Sequence, residues 1–130
     1  MKTTAYWIAL LTGLLLVFIG LRFLIQPQLA ESAFGIQTGI RGNYSFHYIK
    51  GIRDLATGLV TLLLLFGKEF RALGWFMLGM AIVPATDLTL VLNDPTHLSS
   101  HIYPHLAAIL ICLSVGAYYL FTVKRPVYAV

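Results

Sequence analysis

Ionisable side chains interrupt the apolar stretches of this 130-residue sequence and are the first candidates for chemistry. Lys50, Arg53 and Asp54 lie close together in one such stretch, and Asp87 lies in a later one. Carboxylates buried beside basic groups are places where pKa values shift and protons can be exchanged. A guanidinium or ammonium group can also hold an anionic or carbonyl group. These residue types therefore indicate a binding site, with or without acid–base chemistry, or an ion-pair network that only holds helices together.

Histidines add a second set of candidates. His97, His101 and His105 follow one another at a spacing of four residues. Pro104 is tolerated only in the first turn of a helix, so His97 is expected in the preceding loop, which leaves His101 and His105 as a pair. A zinc ion would need three or four protein ligands, and the aspartates would have to complete the set. We therefore expect histidines that hydrogen-bond within a polar cluster, with no metal and no cofactor.

The composition identifies the environment in which these residues must lie. Of all residues 58% are hydrophobic and 11% are charged, with 9 basic and 5 acidic side chains. A soluble domain carries about 25% charged residues, so a soluble enzyme and a disordered chain are excluded. The net charge of +4 does not indicate nucleic acid binding, because no run of Lys and Arg exceeds the pair Lys124-Arg125. The single Cys112 excludes an internal disulfide.

Four apolar stretches are long enough to cross a membrane, which takes about 20 residues each. We predict an all-α fold, a four-helix transmembrane bundle that forms one integral membrane domain over residues 1–130. A short interfacial helix is expected after the first span, because Pro27 suits a first helical position and Gly35 a helix end. A secretory signal over residues 1–25 is the disfavoured alternative, since the apolar stretch is too long for one. The predicted spans are residues 5–25, 46–66, 72–92 and 102–123.

Basic residues in short loops mark the cytoplasmic side of a membrane protein. If both termini are cytoplasmic, five basic residues lie on that side and Arg41 alone lies in an opposite loop. We therefore predict this orientation, in the inner membrane if the source is bacterial. The five basic residues are Lys2, Lys68, Arg71, Lys124 and Arg125.

Alternating spans would bring the ionisable residues to one depth, the outer half of the bundle. The second span carries a polar stripe at three- and four-residue steps, and Pro84 should kink the third span beside Asp87. The prediction is a polar pocket in the outer half, covered by the helix Pro27–Phe34, with an inner half closed by apolar packing. The expected ligand-binding residues are Arg22, His47, Lys50, Arg53, Asp54, Asp87, His101, Tyr103 and His105.

The segment Lys50-Gly51-Ile52-Arg53-Asp54, with the Pro27 to Gly35 segment and the four-span plan, supports a resemblance. The chain resembles a family of small integral membrane proteins of unknown function that is DoxX-like in plan. The resemblance implies a four-helix membrane bundle, and some DoxX-like relatives are associated with quinone-linked or respiratory complexes. It implies no reaction, and it marks Lys50, Gly51, Arg53 and Asp54 only as motif positions.

The leading hypothesis is a pocket for a small lipophilic or amphiphilic molecule, such as a quinone, sterol or lipid. Asp54, Asp87 and His105 are the candidates for acid–base chemistry on that molecule, and whether any reaction occurs stays open. One alternative is a structural or accessory subunit that assembles with itself or with a partner membrane protein. The other is a small transporter or proton path, because Asp, Arg and His within a membrane also suit proton relay.

Overall fold

The regular structure of this chain is helical throughout the residues that the computed structural model describes, which are 2–36, 42–95 and 97–123. This confirms the all-α prediction. The helices are α1 (Lys2–Ile25), α2 (Pro27–Phe34), α3 (Ser45–Phe66), α4 (Phe70–Met80), α5 (Ile82–Asn93) and α6 (Ile102–Thr122), with a 3-10 turn at Ser99–His101. Within the described ranges, three helical segments are long and apolar enough to cross a membrane: Thr3–Ile25, Phe70–Asn93 and Ser99–Thr122.

The third predicted span is interrupted at Ala81, where α4 ends and α5 begins, as expected of a kink caused by Pro84. Pro84 has no N–H to donate to the carbonyl of Met80, so the regular helical ladder cannot continue through this point. The N–H of Ala81 instead lies within hydrogen-bonding distance of two carbonyls, those of Met77 at 3.1 Å and Leu78 at 3.3 Å. The chain then resumes as α5, which carries Asp87.

Helices α1 and α3 pack with their backbones unusually close, and glycines make this possible. A Cβ atom added to Gly20 would lie 2.5 Å from the backbone nitrogen of Leu55 and 2.7 Å from the carbonyl oxygen of Gly51. A Cβ added to Gly58 would lie 2.7 Å from the carbonyl oxygen of Gly13. Close contacts through small residues are typical of helices in lipid, which gives no hydrophobic drive to associate.

The bundle consists of two helix pairs, with α1 along α3 and the α4–α5 segment along α6. We call the end at the connection between α3 and α4 the turn end. There the pairs meet in an apolar core, in which Phe70 stacks on Tyr119 at a centroid distance of 5.4 Å. We call the opposite end, where α2 lies, the α2 end. The buried core residues at the turn end are Ala5, Ala9, Leu65, Leu73, Met77, Val115 and Tyr119.

The short helix α2 folds back over the α2 end. Pro27 stands in its first turn, and Gly35 ends it in a left-handed conformation, with φ 95° and an N–H that donates to Glu31 O at 3.2 Å. Ala30 and Phe34 are buried in a small core with Phe23 and Val91. The predicted short helix is therefore confirmed, and its apolar face closes this end of the bundle.

Gly35→Ala is expected to loosen α2 for two reasons. Gly35 has a backbone conformation that side chains rarely adopt, and a Cβ there would lie 2.6 Å from Nδ1 of His101. Gly42→Ala is the matched control, because Gly42 has φ 89° but nothing within 4 Å of the added Cβ. Hydrogen exchange over Pro27–Phe34 should rise more in the first variant than in the second. Equal exchange in both variants would contradict the packing of Gly35 on His101.

Candidate functional site

Two basic and two acidic side chains form one cluster between α3 and α5. The ammonium group of Lys50 donates to Oδ2 of Asp54 at 2.9 Å and to Oδ2 of Asp87 at 3.1 Å. Arg53 donates through Nε to Oδ1 of Asp54 at 3.2 Å. Arg53 Nη2 lies 3.2 Å from Oδ1 of Asp87 and 3.0 Å from its Oδ2. Long side chains therefore bridge the two helix pairs at a level where α3 and α5 are not tightly packed.

The cluster is electrically balanced and its carboxylates are fully engaged. Each of the four carboxylate oxygens accepts a hydrogen bond from a cation. Burial of two cations with two anions avoids the cost of an unpaired charge in an apolar medium. The predicted convergence of Arg53 and Asp87 from different spans is thereby confirmed. The side chains of Lys50, Asp54 and Asp87 are 6%, 6% and 9% exposed, whereas that of Arg53 is 36% exposed.

Aromatic rings cover the buried side of the cluster. The Lys50 nitrogen lies 4.3 Å from the ring centroid of Phe34 and 5.2 Å from that of Phe23. An ammonium group over a ring face is attracted by the negative face of the ring, and the attraction grows when water is excluded. Helix α2 therefore contributes directly to the cluster through Phe34, as well as covering it.

A second polar contact joins α2 to the start of α3. Nε2 of His47 lies 2.7 Å from Oε2 of Glu31, and His47 is 1% exposed. The other ring nitrogen of His47, Nδ1, is buried and has no hydrogen-bond partner among the described residues. Nearby, the Gln28 amide donates to the Tyr44 hydroxyl at 2.8 Å. His47 was expected at the site, but its pairing with a carboxylate on α2 was not.

His105 is buried beside α2 and makes no hydrogen bond to Asp54 or Asp87, the carboxylates that were expected to work with it. Its Nε2 lies 3.5 Å from the carbonyl oxygen of Phe34, and the two rings meet edge to face at 4.9 Å. Asp54 and Asp87 instead accept hydrogen bonds from Lys50 and Arg53. The ionisable groups expected to supply acid–base chemistry are therefore near one another without forming a hydrogen-bonded acid–base set.

Besides His47 and His105, three more of the expected site residues lie outside the four-residue cluster. The Arg22 guanidinium lies 5.9 Å from the Phe18 ring on the same helix. His101 accepts a hydrogen bond at Nδ1 from the N–H of Leu98, 3.2 Å away, and Tyr103 is 68% exposed. No group of three His, Cys, Asp or Glu side chains in the described ranges is placed to hold a metal ion.

A groove occurs on the outside of the bundle at the turn end. It lies between α1 and α6, has a volume of about 250 Å³ and is open to the surroundings. The apolar core described above lies beside it, so the groove does not contradict the predicted apolar packing of this end. The groove is lined by Thr4, Ala5, Ile8, Ser114, Val115 and Tyr118.

Sequence reasoning missed three residues that complete the site: Glu31, Phe23 and Phe34. Glu31 is an acidic residue on a short helix whose apolar face is buried, and that placement could have indicated a partner on α3. The ring contacts with Lys50 had no comparable indication, because apolar residues in apolar stretches carry no distinguishing pattern. Both depend on how α2 folds back over the bundle.

One comparison with known proteins gives a result. A family model described as a domain of unknown function, DUF4267, matches residues 13–119. The matched region contains α2, α3, α5 and the whole charge cluster. Searches of curated proteins and of solved structures give no match for the chain.

Proposed function

The chain belongs to the DUF4267 family, and from that premise we propose that it is a four-span membrane protein that binds the polar head of an uncharged amphiphile at Arg53. The observation that carries the proposal is the partial exposure of Arg53 in an otherwise buried, neutral cluster. Quinones, sterols and neutral lipids are the classes of molecule that fit. Their polar heads would lie at Arg53 and their apolar bodies in the bilayer.

The length and charge balance of α3 support a fourth span beside the three apolar segments. With 22 residues at about 1.5 Å each, α3 is about 33 Å long, enough to cross a hydrocarbon core of about 30 Å. Lys50, Arg53 and Asp54 make α3 less apolar than the three segments that are long and apolar enough to cross a membrane. Together with Asp87, however, these three charged residues form an electrically balanced cluster. A helix whose charges are paired within the bundle presents its apolar face to lipid.

The geometry of Arg53 supports a bound polar group from outside the chain. A guanidinium group has five N–H donors, and the ion pairs of Arg53 use Nε and Nη2, leaving Nη1 outside them. Inside a membrane, donors without acceptors carry a substantial free-energy cost. A carbonyl or hydroxyl oxygen at the exposed side of Arg53 would satisfy these donors.

The charge balance of the cluster selects the class of ligand. Two cations and two anions are already paired, so an anionic head would leave one negative charge in excess in a poorly solvated place. An uncharged carbonyl or hydroxyl oxygen accepts hydrogen bonds from Arg53 without that penalty. Of the anionic and carbonyl groups considered from the sequence, the proposal therefore retains the carbonyl.

The complete pairing of the carboxylates favours a second candidate function. A cluster whose acceptors are all occupied can serve only to fasten the helix pairs, as in a structural or accessory subunit of a membrane complex. In that case the exposed side of Arg53 would contact a second copy of the chain or a partner membrane subunit. The two candidates differ in what remains bound to the purified protein.

Native mass spectrometry of the protein extracted in a mild detergent tests the proposal. The wild-type protein should retain an uncharged amphiphile, and Arg53→Lys should lose it while staying folded. Lysine keeps the cluster neutral, but it lacks the planar fork that serves the aspartates and a ligand together. Arg22→Lys is the control, because Arg22 lies outside the cluster and should retain the ligand. A wild-type protein with no bound molecule, in a stable oligomer that Arg53→Lys dissociates, would favour the structural candidate.

We also propose that both termini are cytoplasmic, in the inner membrane if the source is bacterial. The supporting observation is the five-to-one distribution of basic residues in the connections, although Arg41, Lys124 and Arg125 lie outside the described residues. A C-terminal alkaline phosphatase fusion should be inactive, and a C-terminal green fluorescent protein fusion should fluoresce. The opposite pair of results would invert the orientation and place α2 on the cytoplasmic side.

A further inference from the structure

We infer that His47 is a hydrogen-bond acceptor for a hydroxyl group on the bound amphiphile, an inference that rests on the proposed function. A contact with His47 restricts the ligand more than a contact with Arg53 alone, because the head of the amphiphile must then carry a phenol, alcohol or enol O–H. The observation behind it is Nδ1 of His47, which is buried without a hydrogen-bond partner in the described part of the chain.

The contact with Glu31 determines which nitrogen of His47 can accept. A carboxylate can only accept a hydrogen bond, so a neutral His47 ring that pairs with Glu31 carries its proton on Nε2, which lies 2.7 Å from Oε2 of Glu31. In the neutral ring Nδ1 then has a free lone pair, which accepts and cannot donate. A carbonyl oxygen offers it nothing, whereas a hydroxyl group donates to it directly.

The burial of Nδ1 indicates that a partner is missing. A buried polar atom without a hydrogen bond has lost its contacts with water and gained none, and such atoms in native proteins usually mark a ligand, water or functional site. His47 is 1% exposed, so bulk water does not reach the ring. The unpaired atom therefore indicates a partner that is not part of the described chain.

The position of His47 connects it to the cluster. His47 and Lys50 lie one helical turn apart on the same face of α3, and both contact the ring of Phe23, at 6.2 Å and 5.2 Å. The rings of Tyr44 and Phe46 lie 5.5 Å from His47, and both residues are partly exposed.

Two substitutions separate the two nitrogens of His47. Glutamine places an amide near the position of Nε2, so His47→Gln keeps the contact with Glu31 and removes the acceptor at Nδ1. Asparagine places its amide oxygen near the position of Nδ1, so His47→Asn keeps the acceptor and loses the contact with Glu31. If His47 acted only through its contact with Glu31, His47→Asn would be the variant that loses stability and probe binding.

The probes are 4-dodecylphenol and 4-dodecylanisole, which differ in whether the ring oxygen carries a hydrogen or a methyl group. Each probe is titrated into phosphatidylcholine nanodiscs that contain the protein, and binding is followed by native mass spectrometry. The wild-type protein should bind the phenol at least tenfold more tightly, the worth of one hydrogen bond to a buried acceptor. His47→Gln should reduce this ratio to about one, and His47→Asn should preserve most of it. Arg53→Lys should weaken both probes alike.

Two results would overturn the inference. Equal binding of the phenol and the anisole to the wild-type protein would show that Nδ1 meets no donor, and it would leave the proposed function intact if Arg53→Lys still weakens both probes. An undiminished preference for the phenol in His47→Gln would assign the donor contact to another group. Loss of all probe binding together with a ligand-free purified protein would remove the proposed function itself.

Discussion

Asp87→Asn is expected to destabilise the folded bundle by about 3 kcal/mol or more, the usual cost of removing one partner of a buried ion pair. Asp87 is the residue through which Lys50 and Arg53 on α3 reach α5. Without its charge, two cations share Asp54 alone. Unfolding in mixed micelles with increasing dodecyl sulfate measures the change. Glu69→Gln is the control, because Glu69 is an exposed carboxylate at the turn end and should change stability by less than about 0.5 kcal/mol.

A compensating double variant separates charge balance from the loss of one hydrogen-bonding side chain. Lys50→Met combined with Asp87→Asn leaves Arg53 and Asp54, which are one cation and one anion. Methionine can fill the space against the Phe34 and Phe23 rings, so the double variant should be more stable than Asp87→Asn alone. When two charged residues interact, the change in unfolding free energy of the double variant differs from the sum of the changes in the two single variants. Additive losses, or Asp87→Asn as mild as Glu69→Gln, would contradict a balanced cluster.

Gly20→Ala is expected to have the second large effect, a loss of at least about 2 kcal/mol, because overpacking a tight contact costs about 1–3 kcal/mol when only side chains must move. At Gly20 the added methyl group meets backbone, 2.5 Å from the nitrogen of Leu55, so α1 and α3 would have to separate. The same unfolding measurement applies.

Gly79→Ala is the matched control for that variant. Gly79 is also a helical glycine, in α4, but an added Cβ there has nothing within 4 Å. Its effect should be neutral or stabilising by up to about 1 kcal/mol, since alanine is the better helix former. If the two variants behave alike, the close approach of α1 and α3 is not what holds that pair together.

The sequence alone located the helices and the convergence of charges, for identifiable reasons. Long apolar stretches define α1, α3 and α6 to within three residues at either end, and Pro27 and Gly35 define α2. The meeting of Arg53 with Asp87 follows from simple alternation, because consecutive spans run in opposite directions. Neither inference requires knowledge of how the helices are rotated about their axes.

The details that the sequence did not provide all depend on helix rotation and on the fold of α2. Arg22 was expected among the ligand-binding residues, but the face of α1 that contains Gly20 packs on α3, and Arg22 lies near Phe18 of its own helix. The extent of pairing within the cluster was also not evident from the sequence. Lys50 bridges both aspartates and faces two rings, so one ammonium group satisfies several needs at once.

A crystal structure from a lipidic mesophase, with purified endogenous ligand retained, tests the central claim most directly. The account predicts non-protein density on the exposed side of Arg53, with an uncharged oxygen within hydrogen-bonding distance of its guanidinium group and the four ion-paired residues unchanged. Density for a phosphate or carboxylate group there would contradict the choice of an uncharged head. A protein side chain from a second copy or a partner at the same place, with no ligand, would contradict the binding function and support the structural one.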